Sequence, residues 1–399
     1  MKIELHMIQN FAPSCLNRDD TNTPKDCVFG GVRRARISSQ CIKRAIRTAF
    51  KSDKLIPQDN LAHRTNRLAE EVARRLAAGG KDEGLARAAA EAAIGGLGFG
   101  TDDKGRTQYL LFLGESGVQA LVELCQQHWD KLAVIAAKAK EAEDQTDEAK
   151  AKKSAKEAKK AAKEAVPEEI KKALGAVLDG SKAADLALFG RMLADNPDKN
   201  IDAACQVAHA ISTNKVEMEM DFFTAVDDLK TDEEDAGAGM MGVIGYNSAC
   251  FYRYAVIDWP ELAKNLGGDA ELADKSLEAF LRASASAVPS GKQNTFAAHN
   301  PPDLMVASVR HKGAPLSLAN AFVQPVKPTH DKDLTQASVD AMKSYFDKVT
   351  VVYGDQWKTD GPFCCGMTLP SSDGGWENVG SLSAMVQRVM AAVANGRSS

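Results

Sequence analysis

The chain has no run of about 18 apolar residues, the length a helix needs to cross a bilayer. No membrane partner is expected. Its amino terminus, MKIELHMIQNF, alternates polar and apolar side chains instead of building the apolar core of an export signal, so a cytoplasmic setting is expected. The eight cysteines, at positions 15, 27, 41, 125, 205, 250, 364 and 365, form no C-x-x-C pair, no His/Cys cluster at zinc spacing and no disulfide framework. The seven histidines are scattered, with no H-E-x-x-H helix and no G-x-S-x-G elbow. His209, in an apolar stretch, reads as a satisfied core residue. The glycines of GGLGFGTDDKGRTQYLLFLG lack the GKS or GKT of a phosphate loop and read as a turn before a strand. No cofactor and no metal are expected, and no repeat of about 20 to 50 residues is visible.

What is present is a sharp segregation of charge. Of 399 residues, 44% are hydrophobic and 26% charged, a globular composition with the length of about two to three domains. The net charge is -4, yet Arg18, Lys25, Arg33, Arg34, Arg36, Lys43, Arg44, Arg47 and Lys51 crowd into 34 residues against Asp19, Asp20 and Asp26, nine minus three or +6. A concentrated basic surface on a mildly acidic protein is the footprint of a phosphate-backbone binder, because each Lys or Arg meeting a phosphate releases condensed counterions. The opposite sign gathers later. Residues 214–235 hold nine acidic side chains against Lys215 and Lys230, nine minus two or -7.

Periodicity predicts a strand over 2–9, a turn-rich loop over 11–37 and a helix over 38–50. Ser38 or Ser39 would cap that helix, and Ile42, Ala45, Ile46, Ala49 and Phe50 would form its apolar stripe. Lys43, Arg44 and Arg47 would face outward, and the helix start adds dipole and free N–H groups favourable to anions. Residues 60–178 read as helical throughout. Within them, 136–165 is low in complexity, with 11 Ala, 9 Lys and 7 acidic residues among 30. Short strands are expected over 184–193, 201–213 and 250–258, a helix over 271–287, a strand over 304–309 and a helix over 338–349. The order is α+β with an all-helical insertion.

The run SCLNRDDTNTPKDCVFGGVRRARISSQCIKRAIR, with LFGRM, AHAISTNKVEMEMDFFTAVDDL, SACFYRYAVID, GKQNTFAAHNP and PLSLANAF, resembles the CasC family, the repeated backbone subunit of the type I-E CRISPR complex Cascade, within the Cas-seven superfamily. The likeness spans both halves of the chain in order, but not 136–165 or the tail beyond about 356. It implies a right-hand shape: an RRM-type, ferredoxin-like palm (1–55, 181–213 and 249–399), helical fingers (56–180) and an extended acidic thumb (214–248). It also implies partners. These are CRISPR RNA, target DNA reached through the guide, further copies stacked head to tail, and the other Cascade subunits: large, small, the one on the RNA 5′ end and the endoribonuclease on the 3′ hairpin.

A guide of arbitrary sequence has to be gripped without reading its bases, which backbone contacts achieve. Arg18, Lys25, Arg33, Arg34, Arg36, Lys43, Arg44 and Arg47 supply charge, and Ser38, Ser39 and Gln40 supply neutral donors at a helix start. Met192 is the candidate wedge between nucleotides, with Arg191 on the adjacent phosphate; Lys292, Gln293 and Asn294 would touch RNA or its paired target. Asp227 and Asp228 would steer the thumb towards the next copy's basic face, since two complementary, non-identical surfaces generate an open filament. A rival from another class is a metal-dependent RNA endonuclease. Type III backbone subunits cut with an aspartate in the loop after the first strand, where Asp19, Asp20 and Asp26 lie here. Arg18 and Lys25 flank these carboxylates and favour salt bridging, so a non-enzymatic subunit is expected.

Overall fold

The computed structural model of the protein describes residues 1–102, 104–144, 165–179, 182–193, 197–225, 240–356, 358–372 and 374–398. The strands in chain order are β1 (Lys2–Ser14), β2 (Asp26–Phe29), β3 (Val32–Ile37), β4 (Ala62–Thr65), β5 (Leu111–Gly114) and β6 (Cys205–Val207). They continue with β7 (Ala210–Ser212), β8 (Glu219–Ala225), β9 (Met240–Asp258), β10 (Leu304–Lys312), β11 (Lys358–Gly366) and β12 (Glu377–Asn378). Contacts divide the chain into two units. One comprises Met1–Leu55, Cys205–Pro260 and Asp274–Ser399; the other comprises Ile56–Ala204 and Glu261–Ala273.

The first unit is built on a mostly antiparallel sheet in the order β12-β11-β10-β1-β9-β7-β3-β2, with β6 and β8 also paired to β9. Its centre is a βαββαβ motif. From β1 the chain passes through helix Ser39–Ser52 to β6, then from β9 through helix Ala270–Ser286 to β10, and in space the four strands lie β10-β1-β9-β6, all antiparallel. That is the ferredoxin-like arrangement. The other unit interrupts the motif between its first helix and β6.

Strand β1 was expected to alternate, yet Glu4 and His6 are as buried as Ile3, Leu5 and Met7. Both of its faces are covered. One face joins Ile8 to Tyr252, Leu304, Val306 and Cys364 beneath Leu318 and Phe322 and beneath Val339 and Met342 of helix Leu334–Tyr353. The polar side chains there are matched: Arg310 pairs with Glu4 at 2.5 Å, the Tyr254 hydroxyl donates to Glu4 at 3.1 Å, and His6 Nδ1 lies 2.9 Å from the Tyr252 hydroxyl. Burial, helped by the Arg310 charge, pulls the His6 pKa down to about 3, so the imidazole is neutral. The adjacent cysteines differ in partner: Cys364 joins the cluster around Ile8, whereas the Cys365 thiol lies 3.8 Å from the Met385 sulfur.

In the second unit, helices Leu68–Ala78, Glu83–Gly96, Glu115–Gln127 and Glu168–Asp179 close on a core that includes Leu76, Ala89, Ala90, Ile94, Leu121, Ile170 and Leu174. The expected all-helical stretch also holds a two-stranded sheet, β4 with β5. The unit runs to Ala204, past the boundary expected at 180, because Asp185 accepts from the Ala62 amide at 2.8 Å and Arg191 bridges Ile201.

Three local expectations change. The segment 11–37 is not all loop: β1 continues to Ser14, and β2 and β3 form a hairpin turning at Gly30 and Gly31, whose successive φ values of 61° and 76° need glycine. The expected strand over 184–193 is a helix, Ala184–Phe189, followed by an isolated bridge at Arg191; a short apolar run does not distinguish the two by periodicity. The described part of the acidic insert holds a ribbon, β8 against the start of β9.

Candidate nucleic-acid interface

Three rings of the central strands are not open to stack bases as those of an RRM are. His6 and Tyr254, with ring centroids 4.9 Å apart, and Tyr252 lie on the covered face of the sheet.

Asn17 organises the basic loop. Its carbonyl accepts from the Lys25 amide at 2.8 Å while its side-chain oxygen accepts from the Ser38 amide at 2.8 Å, fixing the loop against the start of helix Ser39–Ser52. Ser38 is buried and its hydroxyl oxygen accepts from the Cys41 amide at 3.3 Å, so it is the N-cap. With no acidic residue in the first turn, the helix start keeps its full positive end. Ile42, Ile46, Ala49 and Phe50 are buried, whereas Gln40 and Arg44 are exposed and Ser39, Lys43 and Arg47 are half-buried.

Around this start the loop presents Arg18, exposed and donating to the Asn22 side-chain oxygen at 2.6 Å, and half-buried Lys25. Arg36 donates from Nε to the Asp26 carbonyl at 3.0 Å and its Nη1 lies 2.9 Å from His209 Nδ1. The loop at 289–298 closes against the same loop: a Cβ on Gly291 would fall 2.3 Å from the Leu16 carbonyl oxygen. Lys292, in the left-handed region at φ 50°, and Arg18 both act electrostatically on Cys15. Two sequence clusters some 270 residues apart, 292 minus 18 being 274, thus meet in one unit.

Several expected contacts fall elsewhere. Arg34 is fully buried; its two terminal nitrogens donate to the carbonyls of Ser212, Thr213, Phe322 and Val323 at 3.0, 2.7, 2.7 and 3.2 Å. It is a structural rivet and not a phosphate ligand in this chain. Alternation in β3 explains the inversion, with exposed Arg33 on one side, paired to Asp26, and Arg34 on the other. Gln293 donates to the carbonyls of Pro289 and Ala298 inside its own loop, leaving Asn294 as the exposed member of that trio. In the second unit Arg191 is buried and donates to the Lys199 carbonyl at 2.7 Å, so it does not face solvent beside Met192. Met192 itself is 83% exposed, an apolar side chain held outward.

The ribbon carries what composition did not announce: Met220, Phe222, Met240, Met241 and Val243 are exposed alongside Glu217, Glu219 and Asp221. Its base abuts the basic loop, since a Cβ on Gly245 would meet Thr23 at 3.1 Å, and Tyr246 packs on Phe296 with centroids 5.6 Å apart. Asp227 and Asp228 lie outside the described residues. Among the aspartates of the rival nuclease, Asp19 accepts from the amides and hydroxyls of Thr21 and Thr23, which hold its carboxyl below the ordinary range, and Asp26 pairs with Arg33. No group of three metal-ligating side chains is placed to hold an ion among the described residues.

His209 is the residue sequence reasoning missed. Its apolar neighbours suggested a core position, but it sits exposed between β6 and β7, where the expected single strand breaks.

Fold and interface define a class: an α+β protein with a ferredoxin-like palm, a helical unit inserted into it, and a basic loop-and-helix surface beside an exposed ribbon. The chain belongs to the family described as CT1975-like protein, whose profile matches residues 3–375. Among solved structures it is similar to a chain of "CRISPR RNA-guided surveillance complex, pre-nicking" at 30% identity and TM-score 0.82, covering 98% of this chain and 100% of that one. A chain of "CRISPR RNA-guided surveillance complex" follows at 26% identity and TM-score 0.72, again covering 98% and 100%. No curated protein matches the chain.

Proposed function

We propose that the chain is the CRISPR RNA-binding backbone subunit of a surveillance complex, of the CasC kind in type I-E Cascade, acting in the cytoplasm. The observation that carries this is the joining of Arg18, Lys25, Arg36, Arg44 and Lys292 around one uncompensated helix start, a surface suited to a sugar-phosphate chain and lacking the base-reading geometry of an exposed aromatic sheet. Both similar structures are chains of RNA-guided surveillance complexes, which supports the same role. Several copies would follow the guide head to tail, each grasping phosphates and leaving base edges for pairing with target DNA. Exposed Met192 would separate neighbouring bases. The acidic insert, including Asp227 and Asp228, would approach the basic face of the next copy, and the large, small and RNA-end subunits would complete the particle. The chain would bind RNA without cutting it.

The test is the absorbance ratio at 260 and 280 nm, followed by native mass spectrometry, of the protein expressed with a guide array. Retained RNA with several copies of the chain supports the proposal. A nucleic-acid-free monomer contradicts it.

A further inference from the structure

We propose that His209, with Arg36, forms a phosphodiester-binding site in which the imidazole is a neutral donor in the free protein and becomes charged when RNA arrives. The inference deepens the RNA-binding proposal and rests on it. It starts from one contact, Arg36 Nη1 to His209 Nδ1 at 2.9 Å. A guanidinium has only N–H donors, so Nδ1 must be the acceptor, and the proton of the neutral ring then sits on Nε2. That nitrogen has no hydrogen-bond partner among the described residues, and the side chain is exposed.

The position is built by the fold. β6 and β7 each pair with β9, and the Ala208 amide donates to the Tyr254 carbonyl at 2.9 Å, so the turn carrying His209 is anchored on the sheet beside β3. From β3 comes Arg36, itself held by Asp26 and by its own amide donating to the Lys25 carbonyl at 2.9 Å. The charged groups that act on the imidazole are Arg36 and Lys25. The carboxylate of Asp26 is engaged by Arg33, and among the described residues no acidic group acts on His209 beside these cations. Partial burial and the two cations lower its pKa, which keeps the free ring neutral.

A phosphate oxygen at Nε2–H would accept from the ring, the second proton would then go to Nδ1 in place of the Arg36 hydrogen bond, and the freed Nη1 would donate to the same phosphate chain, whose negative charge reverses that field. The bound ring then holds a proton more tightly than the free one. By linkage, RNA binding takes up a proton, and affinity rises as pH falls from above the bound-state pKa towards the free one. No covalent step is involved.

The experiment is fluorescence anisotropy of the full chain with an unstructured oligouridylate at fixed low salt, from about pH 8 to about pH 5.5. The wild type is expected to bind about three- to tenfold more tightly at the acidic end. His209→Gln, which keeps a neutral donor, should bind comparably at the alkaline end and show a flat profile; His209→Ala should be weaker throughout and also flat. Circular dichroism of each variant separates loss of fold from loss of site, and the ring's NMR titration should move up when oligouridylate is added. Identical pH profiles in wild type and His209→Gln, or an imidazole titration unmoved by RNA, overturn the inference and leave the RNA-binding proposal standing. Failure of the wild type to bind oligouridylate overturns both.

Discussion

Arg34 and Phe322, 288 positions apart, are joined by a 2.7 Å hydrogen bond from guanidinium to carbonyl, and that bond closes the basic hairpin onto the segment that covers the sheet. The same side chain reaches Ser212, Thr213 and Val323, so one buried cation ties β3 to two distant pieces of backbone. Its charge is balanced by carbonyl dipoles alone among its hydrogen bonds. The arrangement separates Arg34 from its neighbours: Arg33 and Arg36 serve the surface, and Arg34 holds the frame on which they sit.

Replacing Arg34 by Met should therefore cost roughly 2 to 4 kcal/mol of stability, since three buried hydrogen bonds to carbonyls and a fourth, half-buried one are lost. Urea denaturation measures it. A change below about 0.5 kcal/mol, the usual size at an ordinary surface site, would contradict the rivet.

Close backbone approach makes a second test. A Cβ at Gly291 would lie 2.3 Å from the Leu16 oxygen, and one at Gly30, with φ 61°, would lie 2.0 Å from the Val323 oxygen. Gly291→Ala should push Lys292 away from the basic loop and weaken RNA binding several-fold, while Gly30→Ala should lower stability by about 1 to 3 kcal/mol. Anisotropy and thermal melting read the two separately.

Acid should unfold the palm through His6. The folded ring has its pKa near 3, below the ordinary value of 6.5, so the unfolded chain binds the extra proton between those limits. Stability is then complete above about pH 6.5 and falls as the pH drops towards about 3, by a few kcal/mol in all. His6→Gln should flatten that slope in denaturation curves taken across the range, whatever it does to stability at neutral pH.

The aspartates of the first loop should be silent in chemistry. With Asp19 serving its own turn and Asp26 paired to Arg33, wild type and Asp26→Ala should both leave target RNA intact with Mg²⁺ present. Cleavage by the wild type that disappears in the variant would reinstate the nuclease.

Much of this was legible because local periodicity and tertiary burial agreed. Ile42, Ile46 and Phe50 declare a helix face and are buried as one, and Ser38 caps it. The alternation of Ile3, Leu5 and Met7 declares β1, but nothing local says that Glu4 and His6 will be covered too; their partners Arg310 and Tyr252 lie hundreds of residues away. Arg34 and His209 fail for mirrored reasons. A basic residue in a basic run was read as surface and is buried by strand parity, and a histidine among apolar residues was read as core and is exposed by a break between two short strands.

The most direct test of the central claim is the affinity of the chain for two single-stranded RNAs of equal length and unrelated sequence, measured against salt. The account predicts equal affinities and a steep, shared slope of log affinity on log salt, reduced by about 2, or about 0.7 per contact, when Arg18, Lys25 and Arg44 are changed together to Ala. Affinities that differ strongly between the two sequences, or a slope untouched by the triple substitution, would contradict a grip on the sugar-phosphate backbone through this surface.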